Sequence, residues 1–220
     1  MTDDDIDMLK QTDAMGVTGM SLNEKAITFW KDDFKWEGLV WGKNAIRPLI
    51  GLVDNPYLAS QKPLMINFPN GHAVVFGASG RGKTTFIRTI ISSLVLTHSP
   101  DDLHIYILDF GGRALNVFLD LPHVGAIITS EEEERVMRVL RKVNDIIEYR
   151  QVLFSEERVN NLETHNHNYP DKKLPAILVV IDNFAEFREY YEDLMGPLIS
   201  LVREARAYGV HFLITADVVN

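Results

Sequence analysis

A chain of 220 residues with 46% hydrophobic and 24% charged content is long enough to bury a sizeable core and has the balance of one soluble globular domain. Zero cysteines exclude disulfides and thiolate metal sites, and no apolar run approaches the roughly 20 residues that a membrane-spanning helix needs. With 22 Lys+Arg against 31 Asp+Glu the net charge is −9, and no Lys/Arg cluster offsets it, which makes nucleic acid an unfavoured partner.

The chain divides near residue 66. Residues 1–66 read as a lead-in with little regular structure: an acidic, polar opening at Asp3-Asp4-Asp5, unlike a secretion signal, then Trp30, Trp36 and Trp41, expected to pack against the domain, and a segment around Leu49 to Pro56. Residues 67–220 read as an α/β domain. His72 to Phe76 is short, apolar and β-branched, as a strand is, and Thr84 to Leu96 carries Phe86, Ile90 and Leu94 at helical spacing. Between them Gly77-Ala78-Ser79-Gly80-Arg81-Gly82-Lys83-Thr84 fits G-x-x-x-x-G-K-S/T without a mismatch. Such a loop turns backbone N–H groups and a helix N-terminus toward the phosphates of a nucleotide. The expected binding set is Gly77, Ser79, Gly80, Arg81, Gly82, Lys83, Thr84 and Thr85, with Lys83 reaching the β- and γ-phosphates and the Thr84 hydroxyl on Mg²⁺. Nucleotide use makes cytoplasmic residence the default.

Beyond the loop, strands and helices keep alternating, the pattern of a mostly parallel sheet with helices on both faces. Leu103 to Leu108 reads as a strand ending in Asp109-Phe110-Gly111-Gly112. A long helix follows, with Ser130 and Glu133 spaced as a capping box and Val136, Leu140, Val143 and Ile147 as its buried stripe. Glu156 to Lys173 reads as a polar surface insertion; its His165 and His167 lack the carboxylate or cysteine partners of a metal site. Ala176 to Asp182 is six apolar residues running into an acid, as in a central parallel strand. Asp182 therefore takes the metal-holding role in preference to Asp109, which also ends an apolar strand. A helix over Leu194 to Ala207, with Leu194, Leu198, Leu201 and Ala205 on one face, and a strand over His211 to Thr215 complete the pattern. Asp217, just past that strand, has two open readings, a residue facing the γ-phosphate or a plain loop position.

The phosphate loop, LDFGG at Leu108 to Gly112, LPHVG at Leu121 to Gly125, a helix ending in YRQVLF, and VVIDNFAEF together resemble the FtsK/SpoIIIE-type ATPases. Within them the likeness is to the ATPase modules of the EccC/EssC motor of type VII secretion, and Pro48 to Phe68 is similar to the segment before the loop there. The resemblance covers about residues 46 to 217. It implies a RecA-like P-loop NTPase core that binds ATP and Mg²⁺, with Lys83 and Asp182 at the chemistry. It also implies a domain that continues past Asn220 with at least one more strand, and arginines supplied by a neighbouring module. Arg113, Arg150, Arg203 and Arg206 read equally as neighbour contacts or as helix-surface charges.

Two departures matter. DNA-pumping relatives carry a glutamate after the strand-end aspartate, as in a DEFAD-like string; here Asn183 stands there and offers no general base. The last strand ends in Thr-Ala-Asp where the pumps resemble A-T-Q. Glu186 reads as a solvated surface acid. The resemblance thus implies an ATP-binding secretion-motor module with weak or no hydrolysis, whose partners are neighbouring ATPase modules or protomers and secreted proteins, with membrane contact only through other parts of the motor. A DNA translocase and a non-catalytic docking module are the alternatives.

Overall fold

An uninterrupted apolar run such as Ala176–Asp182 has no polar side to offer water, so it is stable only as a strand covered above and below. The computed structural model of the protein describes residues 45–217, which leaves Asp3 to Asp5 and the three tryptophans outside the described residues. In it that run is the middle strand of a five-stranded sheet, and all of its residues are buried.

In chain order the elements are β1 (Leu49–Asn55), β2 (Ser60–Met65), β3 (Ala73–Phe76), α1 (Lys83–Val95), β4 (Leu103–Asp109), β5 (Val124–Ile128), α2 (Glu133–Glu157), α3 (Leu162–Asn168), β6 (Ala176–Asp182), α4 (Phe184–Tyr190), α5 (Met195–Ala205) and β7 (Val210–Ala216). The sheet runs β3-β7-β6-β4-β5, every neighbouring pair parallel. Successive strand residues face opposite sides. On one side Ile105, Ile107, Leu178 and Val180 pack with Ile87, Ile90, Ile91 and Leu94 of α1. On the other, Leu108, Val179, Ile181 and Phe212 pack with residues of α2, α4 and α5, among them Val136, Val143, Phe187 and Leu198. The expected α/β architecture with helices on both faces is present, and Val136, Leu140, Val143 and Ile147 are buried as their spacing predicts.

Four expectations are corrected. The lead-in is not irregular at its end: β1 and β2 form an antiparallel hairpin, anchored to the domain where Leu49 N–H donates to Ser93 Oγ at 2.8 Å. Most of its residues are exposed on both faces, with Leu52 and Val53 adjacent and both exposed, so it lacks the alternation that reveals a half-buried strand.

The capping box does not form. Helix α2 starts at Glu133 with Glu132 at its N-cap, whose carboxylate accepts from the Thr129 N–H and hydroxyl, while the Ser130 carbonyl accepts from Tyr191.

The polar insertion is partly helical and partly buried. His165 stacks on Phe154 with ring centroids 5.2 Å apart and lies 2.9 Å from Glu157 Oε2, and the Asn166 amide both donates to and accepts from the Leu174 backbone. The His165 and Asn166 side chains pair with protein groups, while His167 and most of the segment's other polar residues are exposed.

Arg150 is not a helix-surface charge. It is buried and its guanidinium donates to the carbonyls of Tyr208 (2.5 Å) and Pro175 (2.6 Å). Arg113, Arg203 and Arg206 are exposed, with Arg206 donating to the Asn70 carbonyl at 3.1 Å. No helix of the described residues is long and apolar enough to cross a membrane.

Candidate functional site: a phosphate loop facing a strand-end carboxylate

The C-terminal ends of β3, β7, β6 and β4 lie side by side, which brings the loops that leave them to one end of the sheet. At β3 the ladder runs one residue further, Gly77 N–H donating to the Ala216 carbonyl at 3.1 Å, and then the chain turns into the loop. Residues Ser79 to Gly82 are exposed, as are Thr85 and the loop's Ala78. Gly82 has φ 87°, in the left-handed region that glycine enters without strain, and it serves as the N-cap of α1; its carbonyl accepts from Phe86 N–H at 2.9 Å. That reversal puts Lys83 and Thr84 on the first turn of α1, half-buried at the loop's base.

The Lys83 ammonium donates to the carbonyls of Gly77 (2.7 Å) and Ala78 (3.3 Å) and to Asp217 Oδ1 (2.5 Å). The Thr84 hydroxyl donates to Asp182 Oδ2 at 2.9 Å, so loop and central strand meet across the site as the sequence predicts. Asp182 is buried, and its other oxygen accepts from the Thr215 hydroxyl at 2.5 Å; Thr215 in turn accepts from the Asn183 N–H at 2.9 Å. On the near side Gly111 comes so close that a Cβ there would lie 2.6 Å from Asp182 Oδ2. The carboxylate is therefore held in one orientation from three strands' ends.

Asp109, the rival acid, stands beside Asp182 in register but is engaged elsewhere. Its two oxygens accept from the Gly111 (3.2 Å) and Leu115 (2.8 Å) N–H groups, fixing the turn after β4. Burial pushes its carboxyl above the usual range, the Asp182 charge adds to this, and the backbone donors oppose it.

Asn183 has φ 66°, and its side-chain amide donates to Glu186 Oε2 at 2.8 Å and to the Phe110 carbonyl at 3.4 Å. Glu186 is only partly exposed, so the solvated-acid expectation is corrected: the asparagine holds it beside the strand end. Sequence reading brought together the loop, Thr84 and Asp182. It missed Thr215, Gly111 and the Lys83–Asp217 pair, because each depends on which strand lies next to which.

The donor set fits a magnesium nucleotide. A hydroxyl and a carboxylate, both hard oxygen ligands, sit 2.9 Å apart where Mg²⁺ takes one or two protein groups and fills its shell with water and phosphate oxygens. The end that would receive phosphate is a run of exposed backbone at the head of α1.

The comparisons with known proteins follow the same line. The FtsK/SpoIIIE family profile matches residues 40–217. The chain is 33% identical over 194 residues to the type VII secretion system protein EssC of Staphylococcus aureus, covering 86% of this chain and 12% of the relative. It is 30% identical over 193 residues to the ESX secretion system protein EccC of Thermomonospora curvata, covering 84% and 14%. The solved structure of Thermomonospora curvata EccC (ATPases 2 and 3) in complex with a signal sequence peptide superposes with a TM-score of 0.75 at 29% identity, over 83% of this chain and 34% of that one. The chain thus spans only a small part of the length of its curated relatives. With 178 consecutive residues matched, and the parallel sheet, glycine-capped loop and strand-end aspartate in their places, the chain belongs to the FtsK/SpoIIIE family of P-loop ATPases.

Proposed function

We propose that this chain is an ATP·Mg²⁺-binding module of a type VII protein secretion motor that holds nucleotide with slow or no turnover. The observation that carries the reading is the contact between Thr84 and Asp182, with an asparagine directly after the aspartate. In this reading Gly77, Ser79, Gly80, Arg81, Gly82 and Thr85 surround the phosphates with backbone and hydroxyl donors. Lys83 balances the negative charge of the β- and γ-phosphates, and Thr84 and Asp182 hold the metal. The magnesium nucleotide supplies the phosphoanhydride bond and the charge that the loop recognises.

Thr215 and Gly111 keep Asp182 aimed at Thr84, so the carboxylate needs no reorientation on binding. Asn183 has an amide where a base is needed to take a proton from water, which supports weak hydrolysis. The partners in this reading are neighbouring ATPase modules and secreted proteins, supported by relatives that carry several ATPase units and by the signal-sequence peptide bound to EccC. Its place is the cytoplasmic side of a membrane-associated machine. DNA translocation is disfavoured by the net charge of −9.

The test is a titration of the purified chain with ATP in Mg²⁺, with phosphate release followed in parallel. Saturable binding with slow release is expected. Lys83→Ala removes a charge-assisted contact worth about 1.5–3 kcal/mol and should weaken binding roughly 10- to 100-fold. Rapid steady-state release by the wild type, or affinity indifferent to Lys83, overturns the reading.

A further inference from the structure

An ammonium group has three hydrogens to donate. Around Lys83 there are three acceptors, the carbonyls of Gly77 and Ala78 and the carboxylate of Asp217, so each hydrogen already has a place to go. The two carbonyls belong to the loop and carry only partial charge. Asp217 carries a full negative charge at 2.5 Å and neutralises the lysine. Its position is set by the fold: β7 lies between β3 and β6, and the Gly77–Ala216 hydrogen bond fastens the end of β7 to the start of the loop. The residue after Ala216 is thereby delivered to the loop's mouth, and in this chain that residue is an acid.

We propose that Asp217 is a specificity-determining residue of the nucleotide site, competing with the terminal phosphate of a nucleoside triphosphate for the Lys83 ammonium and narrowing the site's preference for triphosphate over diphosphate. The inference rests on the nucleotide-binding reading above. A γ-phosphate takes Lys83 from Asp217, breaks a charge-assisted hydrogen bond and sets two negative groups side by side. A diphosphate ends one phosphate short and meets less of this conflict. The Asp217 side chain is 46% exposed and can turn to water, so the effect is a bias and not a block.

The test is equilibrium binding of a non-hydrolysable ATP analogue and of ADP, both with Mg²⁺, to the full chain as wild type, Asp217→Asn, Asp217→Ala and Lys83→Ala. Melting curves check that each variant is folded. Asp217→Asn keeps the shape and removes the charge. Both Asp217 variants should bind the triphosphate about five-fold more tightly, the size expected for a partly exposed pair, and ADP less than two-fold more tightly. Unchanged or weaker triphosphate affinity in both variants, or equal gains for both nucleotides, overturns it. If Lys83→Ala loses binding while the Asp217 variants match the wild type, the nucleotide reading stands and this inference alone falls. If no form of the chain binds either nucleotide, both fall.

Discussion

At the scale of single residues, one hydrogen bond decides what a carboxylate placed at the proposed base position can achieve. Asn183 donates its amide to Glu186 at 2.8 Å, so Asn183→Glu would set two carboxylates against each other. At that distance the two carboxylates share one proton, so the acid at 183 is an ionised base in only part of the population. Asn183→Glu alone should raise phosphate release by less than about 10-fold. Asn183→Glu with Glu186→Gln, which returns a donor to the pair, should raise it by about 10²-fold or more, the ordinary contribution of a general base. Steady-state phosphate release separates the two, and fast release by the single variant would show that Glu186 turns away freely. The identities at 182 and 183 were readable in the chain. The partnership with residue 186 was not, because it depends on the left-handed turn that Asn183 makes before α4.

At the scale of elements, α2 shows how a charged residue hides inside a buried stripe. Val136, Leu140, Val143, Ile147, Arg150 and Phe154 follow one another at steps of four and three, and all are buried. The spacing signalled the place of Arg150; its charge argued for the surface and misled. Its fork fits the Tyr208 and Pro175 carbonyls, tying α2 to the turn before β7 and to the start of β6. Arg150→Met keeps the apolar stem and leaves both carbonyls without that donor. It should cost about 2–4 kcal/mol and lower the melting temperature by about 5–10 °C. Arg150→Lys, a point charge without the planar fork, should fall between it and the wild type. The β1–β2 hairpin marks the opposite case: an element held by backbone pairing and exposed on both sides leaves little hydrophobic pattern to read.

At the scale of the whole molecule, buried histidines set the response to acid. His98, His123 and His211 are held by burial at about 4, about 4 and about 3. In the unfolded chain they take up protons near pH 6.5. As pH falls from about 6.5 toward 4 the unfolded state binds the protons first, so stability falls with pH, by up to about 1.4 kcal/mol per pH unit for each histidine. Asp109 works the other way, because its raised carboxyl gains its proton more readily when folded. Three groups outweigh one, so the melting temperature should drop steadily between about pH 7 and about pH 5; a flat profile would contradict the burial of these rings.

The alternation of strands and helices was legible along the chain, whereas strand order was not, since nothing local records that β7 inserts between β3 and β6. That order has a mechanical consequence. Among the described residues β3 pairs with β7 alone, and Val74 and Phe76 are half exposed. Among the described residues the phosphate loop hangs from a strand secured on one flank, so its footing rests on the β7 ladder and the Gly77–Ala216 hydrogen bond.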